Sequence, residues 1–339
     1  MLSVRFALGG HIMMDAASTW RRAALVLVAI AGLVAAGCGS GSHAAAAKKP
    51  AQPTPSGLTI AHAKEIVRSY MTQEFKANLT WDVSVQQKLE APPQVYIDDE
   101  NWLLNKAAGK TAPPAPKNLA SAPLEIFLPR GGNFFAAFID NAYMIFQQEG
   151  KAYVQTYSPL TYRGAPVPDV ALDKQGYATF ILPSNYGKLK LTPTQLAQRY
   201  AADLETGSQG KTVADQTFAP APTTTQTFSG LLYRRPGETA SLTAKPLGDT
   251  PYAFALKGGG ALVFCCVEAD ETHIAAPGTH YVVQKGASDG LAGVMPVGNY
   301  SKIESQGEIT LAAIVPPAGS QAKVQVIAAD YGPINITGQ

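Results

Sequence analysis

Charge is scarce in this chain. Charged residues make up 15% of 339 residues and the formal net charge is +2, so there is no field to draw nucleic acid or steer an acidic substrate. No P-loop or GxGxxG pattern occurs, which removes the usual support for a nucleotide-binding reading. Thiols are few, with cysteine only at positions 38, 265 and 266. Long apolar runs are also lacking. The best, Ala23 to Gly37, is shorter than the ~20 residues a membrane-spanning helix usually needs.

What is present begins with that run. Trp20-Arg21-Arg22 supplies positive charge ahead of it, and together they have the form of a cleaved signal peptide. The run ends in Leu33-Val34-Ala35-Ala36-Gly37-Cys38, small residues leading into a cysteine. This resembles a bacterial lipobox, which implies a diacylglycerol on the Cys38 thiol and a cut just before it. Ala35 departs from the more usual leucine, and an ordinary secretory leader is the alternative. Met13 and Met14 are alternative starts. The expected address is the outer face of the cell membrane, held there by lipid.

From Gly39 to Ser56 the chain is Gly, Ser, Ala, Lys and Pro with little to bury, which reads as a tether. At ~100–200 residues per domain, the length beyond it predicts two domains. The expected division is a leader over 1–38, a tether over 39–58, a first domain over 59–188 and a second over 189–339.

Spacings of three and four between Ile60, Ala63, Val67, Tyr70, Met71 and Phe75 predict a helix. It continues through Trp81, Val85 and Leu89 to the stop at Pro92-Pro93. A short helix is expected over 95–105. Strand character follows at 124–128, 133–139, 142–146 and 152–157, with turn residues at Arg130-Gly131-Gly132, Asp140-Asn141 and Glu149-Gly150. One more strand is expected at 177–182. Thr192-Pro193-Thr194-Gln195 is a capping box with proline at the first helical position, and Leu196, Tyr200 and Leu204 form the stripe behind it. Further strands are predicted at 252–256, 261–267, 280–284, 308–315 and 323–331. Helix then sheet, twice, gives the fold class α+β, with two tandem domains in which an N-terminal helix packs on a curved antiparallel sheet.

Tyr70, Asn78, Trp81-Asp82 and Asp98-Asp99 ahead of the strand block resemble uncharacterised lipoproteins of actinobacteria. The resemblance implies tandem domains of the NTF2-like or cystatin-like kind. It brings no catalytic residues.

Several residues invite chemistry. Gly258-Gly259-Gly260 lies between strand-like runs, which fits a hairpin turn better than a phosphate loop. Cys265-Cys266 on a strand point to opposite faces; a buried thiol is favoured over a vicinal disulfide or an intermolecular bond. His273 and His280, with Asp270 and Glu271, are a group of metal-ligand types at spacings that match neither a zinc protease nor a finger, and read as solvated loop residues. Asp98-Asp99-Glu100 reads as a solvated helix start, with a calcium or acid/base patch as the rival. The aromatics from Phe127 to Phe180 either fill a core or line a pocket.

The expectation is a non-enzymatic binding or scaffold module of the envelope. Cys38 is its one assigned site, as the lipidated residue; no catalytic, cofactor or metal residue is assigned, and no cofactor is expected. Its partners are the membrane, through the lipid, and an envelope protein or small apolar ligand, with nucleic acid excluded. The rival functions are an NTF2-like pocket enzyme, an isomerase or hydrolase, and a carrier of apolar ligand or lipid.

Overall fold

The computed structural model describes residues 57–80, 83–111, 121–208, 215–221, 237–287 and 290–339. Cys38, the leader and the tether up to residue 56 lie outside the described residues, as do Trp81 and Asp82. Among the described residues no helix is long and apolar enough to cross a membrane.

The chain opens with α1 (Ile60–Thr80), and Thr59 Oγ1 accepts the His62 amide at 3.2 Å at its start. Ala63, Val67, Tyr70, Met71 and Phe75 are buried along one stripe, as their spacing predicts. A single turn, α2 (Val83–Gln86), leads to the proline pair and then to α3 (Gln94–Ala107). Strands β1 (Leu124–Phe127), β2 (Phe134–Ile139), β3 (Ala142–Glu149) and β4 (Ala152–Tyr157) form an antiparallel meander, completed by the short β5 (Leu160–Thr161). Asp140 and Asn141 take positive φ at the β2–β3 turn, which suits these two residue types.

After a 3₁₀ turn at Pro183–Lys188 comes α4 (Pro193–Ser208). Its capping box closes in both directions: the Gln195 amide donates to Thr192 Oγ1 at 3.2 Å, and the Thr192 amide donates to Gln195 Oε1 at 2.9 Å. The remaining strands are β6 (Thr239–Ala255), β7 (Ala261–Ile274), β8 (Tyr281–Val283), β9 (Gly298–Tyr300), β10 (Lys302–Val315) and β11 (Gln325–Gly338). Helices packed on a large antiparallel sheet make the fold α+β.

The expected boundary at 188/189 does not divide the sheet. Nine strands form one sheet in the order β1-β2-β3-β5-β11-β10-β7-β6, with β4 on β3; β5 bridges the halves through Leu160↔Ala329 and Thr161↔Ala328. Among the described residues only β8 and β9 stand apart, as an antiparallel pair.

Side-chain alternation gives the layers. Ile126, Phe135, Ala137 and Phe146 pack on α1, whereas their neighbours Phe127, Phe134, Ala136 and Ile145 face inward. In the other half Val263, Cys265, Ile309 and Leu311 pack against α4, and Leu262, Phe264, Cys266 and Ala312 face inward. The two inner faces meet through Phe134–Tyr252 (ring centroids 4.7 Å apart), Tyr157–Tyr252 (5.7 Å) and Tyr143–Phe264 (5.8 Å). The one sheet thus folds its two halves face to face with a helix outside each, and each aromatic ring buried at the centre contributes about 1.5–3 kcal/mol.

Beyond the aromatic centre the inner face of β7 and β10 turns polar at Glu268, Asp270, Gln306 and Glu308. There α3 lies against β11, its Ile97 directly over Gly332. This corrects the reading of Asp98-Asp99-Glu100 as a solvated helix start: all three are buried, because α3 is packed against the sheet rather than laid on the surface.

Candidate functional site

The most developed polar constellation sits on the α4 side of the sheet, towards the end of β7. Glu271 and His273 are two apart on that strand and so share a face. Glu238, just ahead of β6, approaches His273 from the neighbouring strand, where Ala240 is the register partner of His273. His273 Nδ1 lies 2.7 Å from Glu238 Oε1, and Nε2 lies 3.1 Å from Glu271 Oε2. The second oxygen of Glu271 accepts a 2.7 Å hydrogen bond from the Tyr331 hydroxyl, which reaches across β10 from β11. The side chains of His273, Glu238 and Glu271 are only 6%, 4% and 6% exposed.

The electrostatics follow from burial and from these contacts. Burial opposes a charge on His273, but the hydrogen bonds and negative charges of Glu271 and Glu238 outweigh it and raise the imidazole pKa. Burial raises Glu271, against the lowering pull of His273 and Tyr331. Burial and the neighbouring Glu271 push the Tyr331 phenol well up, which keeps it a donor. The chain Glu238–His273–Glu271–Tyr331 therefore holds a proton in a dry place. Both imidazole nitrogens are engaged by carboxylates.

Sequence reading places Asp270, Glu271, His273 and His280 in a solvated loop. The structure corrects this: the first three belong to β7, and cross-strand partners let their polar side chains enter the sheet. Glu271 and His273 are buried together, Asp270 points to the opposite face beside Glu268, and His280 stands exposed ahead of β8. Among the described residues no group of three or more His, Cys, Asp or Glu is arranged to hold a metal ion. Glu238 and Tyr331, remote in sequence from His273, are the members that sequence reading missed; neither stands in a motif.

Cys265 and Cys266 are free and buried, one in the α4-side core and the other in the inner core. Burial raises both thiol pKa values, so neither is a ready nucleophile. Gly258-Gly259-Gly260 forms the β6–β7 hairpin turn, with Gly259 and Gly260 at φ 85° and 79°. A Cβ on Gly260 would overlap the Val315 carbonyl oxygen, so close backbone approach adds a second reason for glycine there.

The aromatics from Phe127 to Phe180 divide between two cores, Phe135 and Phe146 under α1 and Phe127, Phe134, Tyr143 and Tyr157 in the inner core, where Phe134 contacts the rings of Phe180, Tyr252 and Phe254 at 5.0, 4.7 and 6.0 Å. A shallow depression lined by Gly57, Leu58, His62, Gln148 and Tyr153 lies where the described chain begins. Beneath α1, the Tyr70 hydroxyl lies within hydrogen-bond distance of Gln155 Oε1, at 2.6 Å, and of Glu90, tying helix, connection and β4 together.

Comparison with known proteins places residues 54–338 within a family described as a domain of unknown function, DUF8094, and the chain belongs to that family. No curated protein and no solved structure matches it.

Proposed function

We propose that this member of the DUF8094 family is an exported lipoprotein, held to the outer face of the cell membrane through acylated Cys38, whose body is a non-enzymatic binding or scaffold module of the envelope. One arrangement carries the proposal: the lipobox at Leu33 to Cys38, then a tether of small and polar residues, then the family domain from residue 54. Within that body we read two NTF2-like halves, α1 with β1–β4 and α4 with β6, β7, β10 and β11, fused along one sheet. The engagement of both His273 nitrogens supports a structural use of the buried polar groups.

The test follows the lipid. The mature chain is expected in the membrane fraction, beginning at residue 38 with acyl mass on it, and Cys38→Ala is expected to release it from the membrane. A mature chain that begins elsewhere, or carries no acyl mass, overturns the proposal. Recovery of one reproducible envelope partner or apolar ligand with the wild-type chain, after cross-linking in cells, is the readout for the binding role.

A second reading, an acid/base enzyme such as an isomerase or hydrolase, is favoured by the Glu238–His273–Glu271–Tyr331 chain, which brings a histidine and carboxylates together. It predicts a turnover that His273→Gln abolishes while the chain remains folded.

A further inference from the structure

One row of residues crosses four strands on the inner face of the sheet. Register sets Lys245 of β6 beside Glu268 of β7, Glu268 beside Glu308 of β10, and Glu308 beside Gly332 of β11. The adjacent row on the same face holds Thr243, Asp270 and Gln306. Over the Gly332 end lies α3, so close that a Cβ there would sit 2.7 Å from the Ile97 carbonyl oxygen. The other end is open. Thr243 and Lys245 are exposed, Asp270 and Gln306 are half-buried, and Glu308 is only 4% exposed. The polar floor therefore descends from solvent at β6 towards α3.

Three carboxyl groups share this floor with one ammonium, and that ammonium is engaged. Lys245 Nζ lies 2.7 Å from Glu268 Oε1, and Gln306 Nε2 donates to the same oxygen at 3.1 Å. Asp270 also hydrogen-bonds Glu268. Glu308 Oε2 and Asp270 Oδ1, by contrast, are buried with no hydrogen-bond partner among the described residues. Buried acceptors are nearly always satisfied, so two orphans on one face require donors. Asp270 and Glu308 are diagonal neighbours on adjacent strands, a relation that sets residues about 7–8 Å apart. Burial and then Glu268 push Glu308 up to about 7, and burial and then Glu268 raise Asp270, as befits carboxyls held without a countercharge of their own. The missing donors are therefore cationic. A metal ion does not fit, since no three such ligands converge among the described residues. Two separate ammonium groups on one flexible stem do fit, each meeting its own oxygen.

We propose that this floor is a binding site for an aliphatic diamine, which enters past Lys245 and donates from one ammonium to Glu308 Oε2 and from the other to Asp270 Oδ1. A primary ammonium carries its N–H donors on a narrow apolar stem, which suits oxygens that lie just beneath the surface. Lys245 guards the entrance without competing, because Glu268 and Gln306 hold its end of the row in place. The site is independent of the lipid anchor. It is also separate from the His273 cluster, which occupies the opposite face of the sheet.

Equilibrium dialysis of the full mature chain carrying Cys38→Ala, which takes no lipid, against labelled 1,4-diaminobutane tests it. The measurement is made at low salt and pH 8, where Glu308 is mostly ionised. One saturable site is expected. Glu308→Gln and Asp270→Asn are each expected to weaken it at least tenfold; thermal melts show that the variants fold, and either one suffices if the other does not. Glu125→Gln, which alters an exposed carboxylate on β1 at the far end of the sheet, is expected to bind as the parent chain does. The bis-trimethylammonium analogue has the same charge and no N–H, and is expected to bind at least tenfold more weakly. The proposal is overturned by the absence of saturable binding, by equal binding of the analogue, or by folded Glu308→Gln or Asp270→Asn chains that keep the parent affinity.

Discussion

The ring of Tyr331 occupies the space into which a side chain on Gly307 would project, and its hydroxyl then reaches Glu271. A Cβ at position 307 would overlap the ring edge, and the ring cannot move without giving up its 2.7 Å bond to the carboxylate. Gly307→Ala is therefore expected to destabilise the chain by about 1–3 kcal/mol, as overpacking of a formed core does. Chemical denaturation measures it, and an unchanged midpoint would show that Tyr331 has another place to go.

The His273 cluster makes a prediction about pH. An imidazole whose pKa is raised in the folded state stabilises fully below its unfolded value of ~6.5, and that contribution is lost as pH rises through the folded value. His273→Gln is expected to remove this part of the slope, at most about 1.4 kcal/mol per pH unit for one proton. Denaturation of both chains across pH 6 to 9 checks it. Parallel curves would mean that His273 binds its proton equally well in the folded and unfolded chains.

Capping sets a third expectation. Thr192→Ala removes the acceptor for the Gln195 amide and is expected to cost about 1 kcal/mol, with Thr192→Ser restoring most of it. Thermal melts of the three chains decide, and a Thr192→Ala melt at the wild-type temperature contradicts it.

The adjacent cysteines report on two cores at once. Neither is expected to react with a thiol reagent in the native chain, and both are expected to react in denaturant. Cys265→Ser and Cys266→Ser place a hydroxyl in the α4-side and inner cores respectively, for about 1–3 kcal/mol each. Fast native labelling of either would place that thiol at the surface.

Separation of the halves after residue 188 is expected to leave neither folded. The cut strands the β5–β11 pairing and divides an inner core to which Phe134 and Tyr143 contribute from one side and Tyr252 and Phe264 from the other. Circular dichroism and proteolysis of the two fragments settle the point; a protease-resistant fragment would restore the sequence boundary.

What was legible in the sequence was whatever carried an apolar period or a local turn. The stripe of α1, the capping box of α4, the glycine hairpin and the opposed faces of Cys265 and Cys266 all rest on neighbours within a few residues. Strand lengths were not legible. The reading ended β7 at Val267 and began β10 at Glu308, because Glu268-Ala269-Asp270-Glu271-Thr272-His273 and Lys302 to Gly307 look like solvated loop. Two of these charges find partners from a neighbouring strand or the residue ahead of it, Glu268 in Lys245 and His273 in Glu238, and such partners are invisible along the chain. The first part of β6 was hidden by Pro246 and Gly248, and the burial of Asp98-Asp99-Glu100 by the absence of any local sign that α3 would find a glycine on β11 to lie upon. The single sheet was hidden as well, since β5 has two residues and no pattern of its own.

The last strand of the sheet has a further consequence. Among the described residues β6 has no neighbour on its outer side along Thr239–Leu247, yet Pro246 offers no N–H there and Glu205 of α4 already takes the Ala244 amide at 2.7 Å. Where copies of a chain come side by side at high local density, an open border of this length would seed filaments. A proline and a borrowed carboxylate break the row of outward amides that an adjoining copy would need to zip onto, and so favour molecules that stand close together yet remain separate.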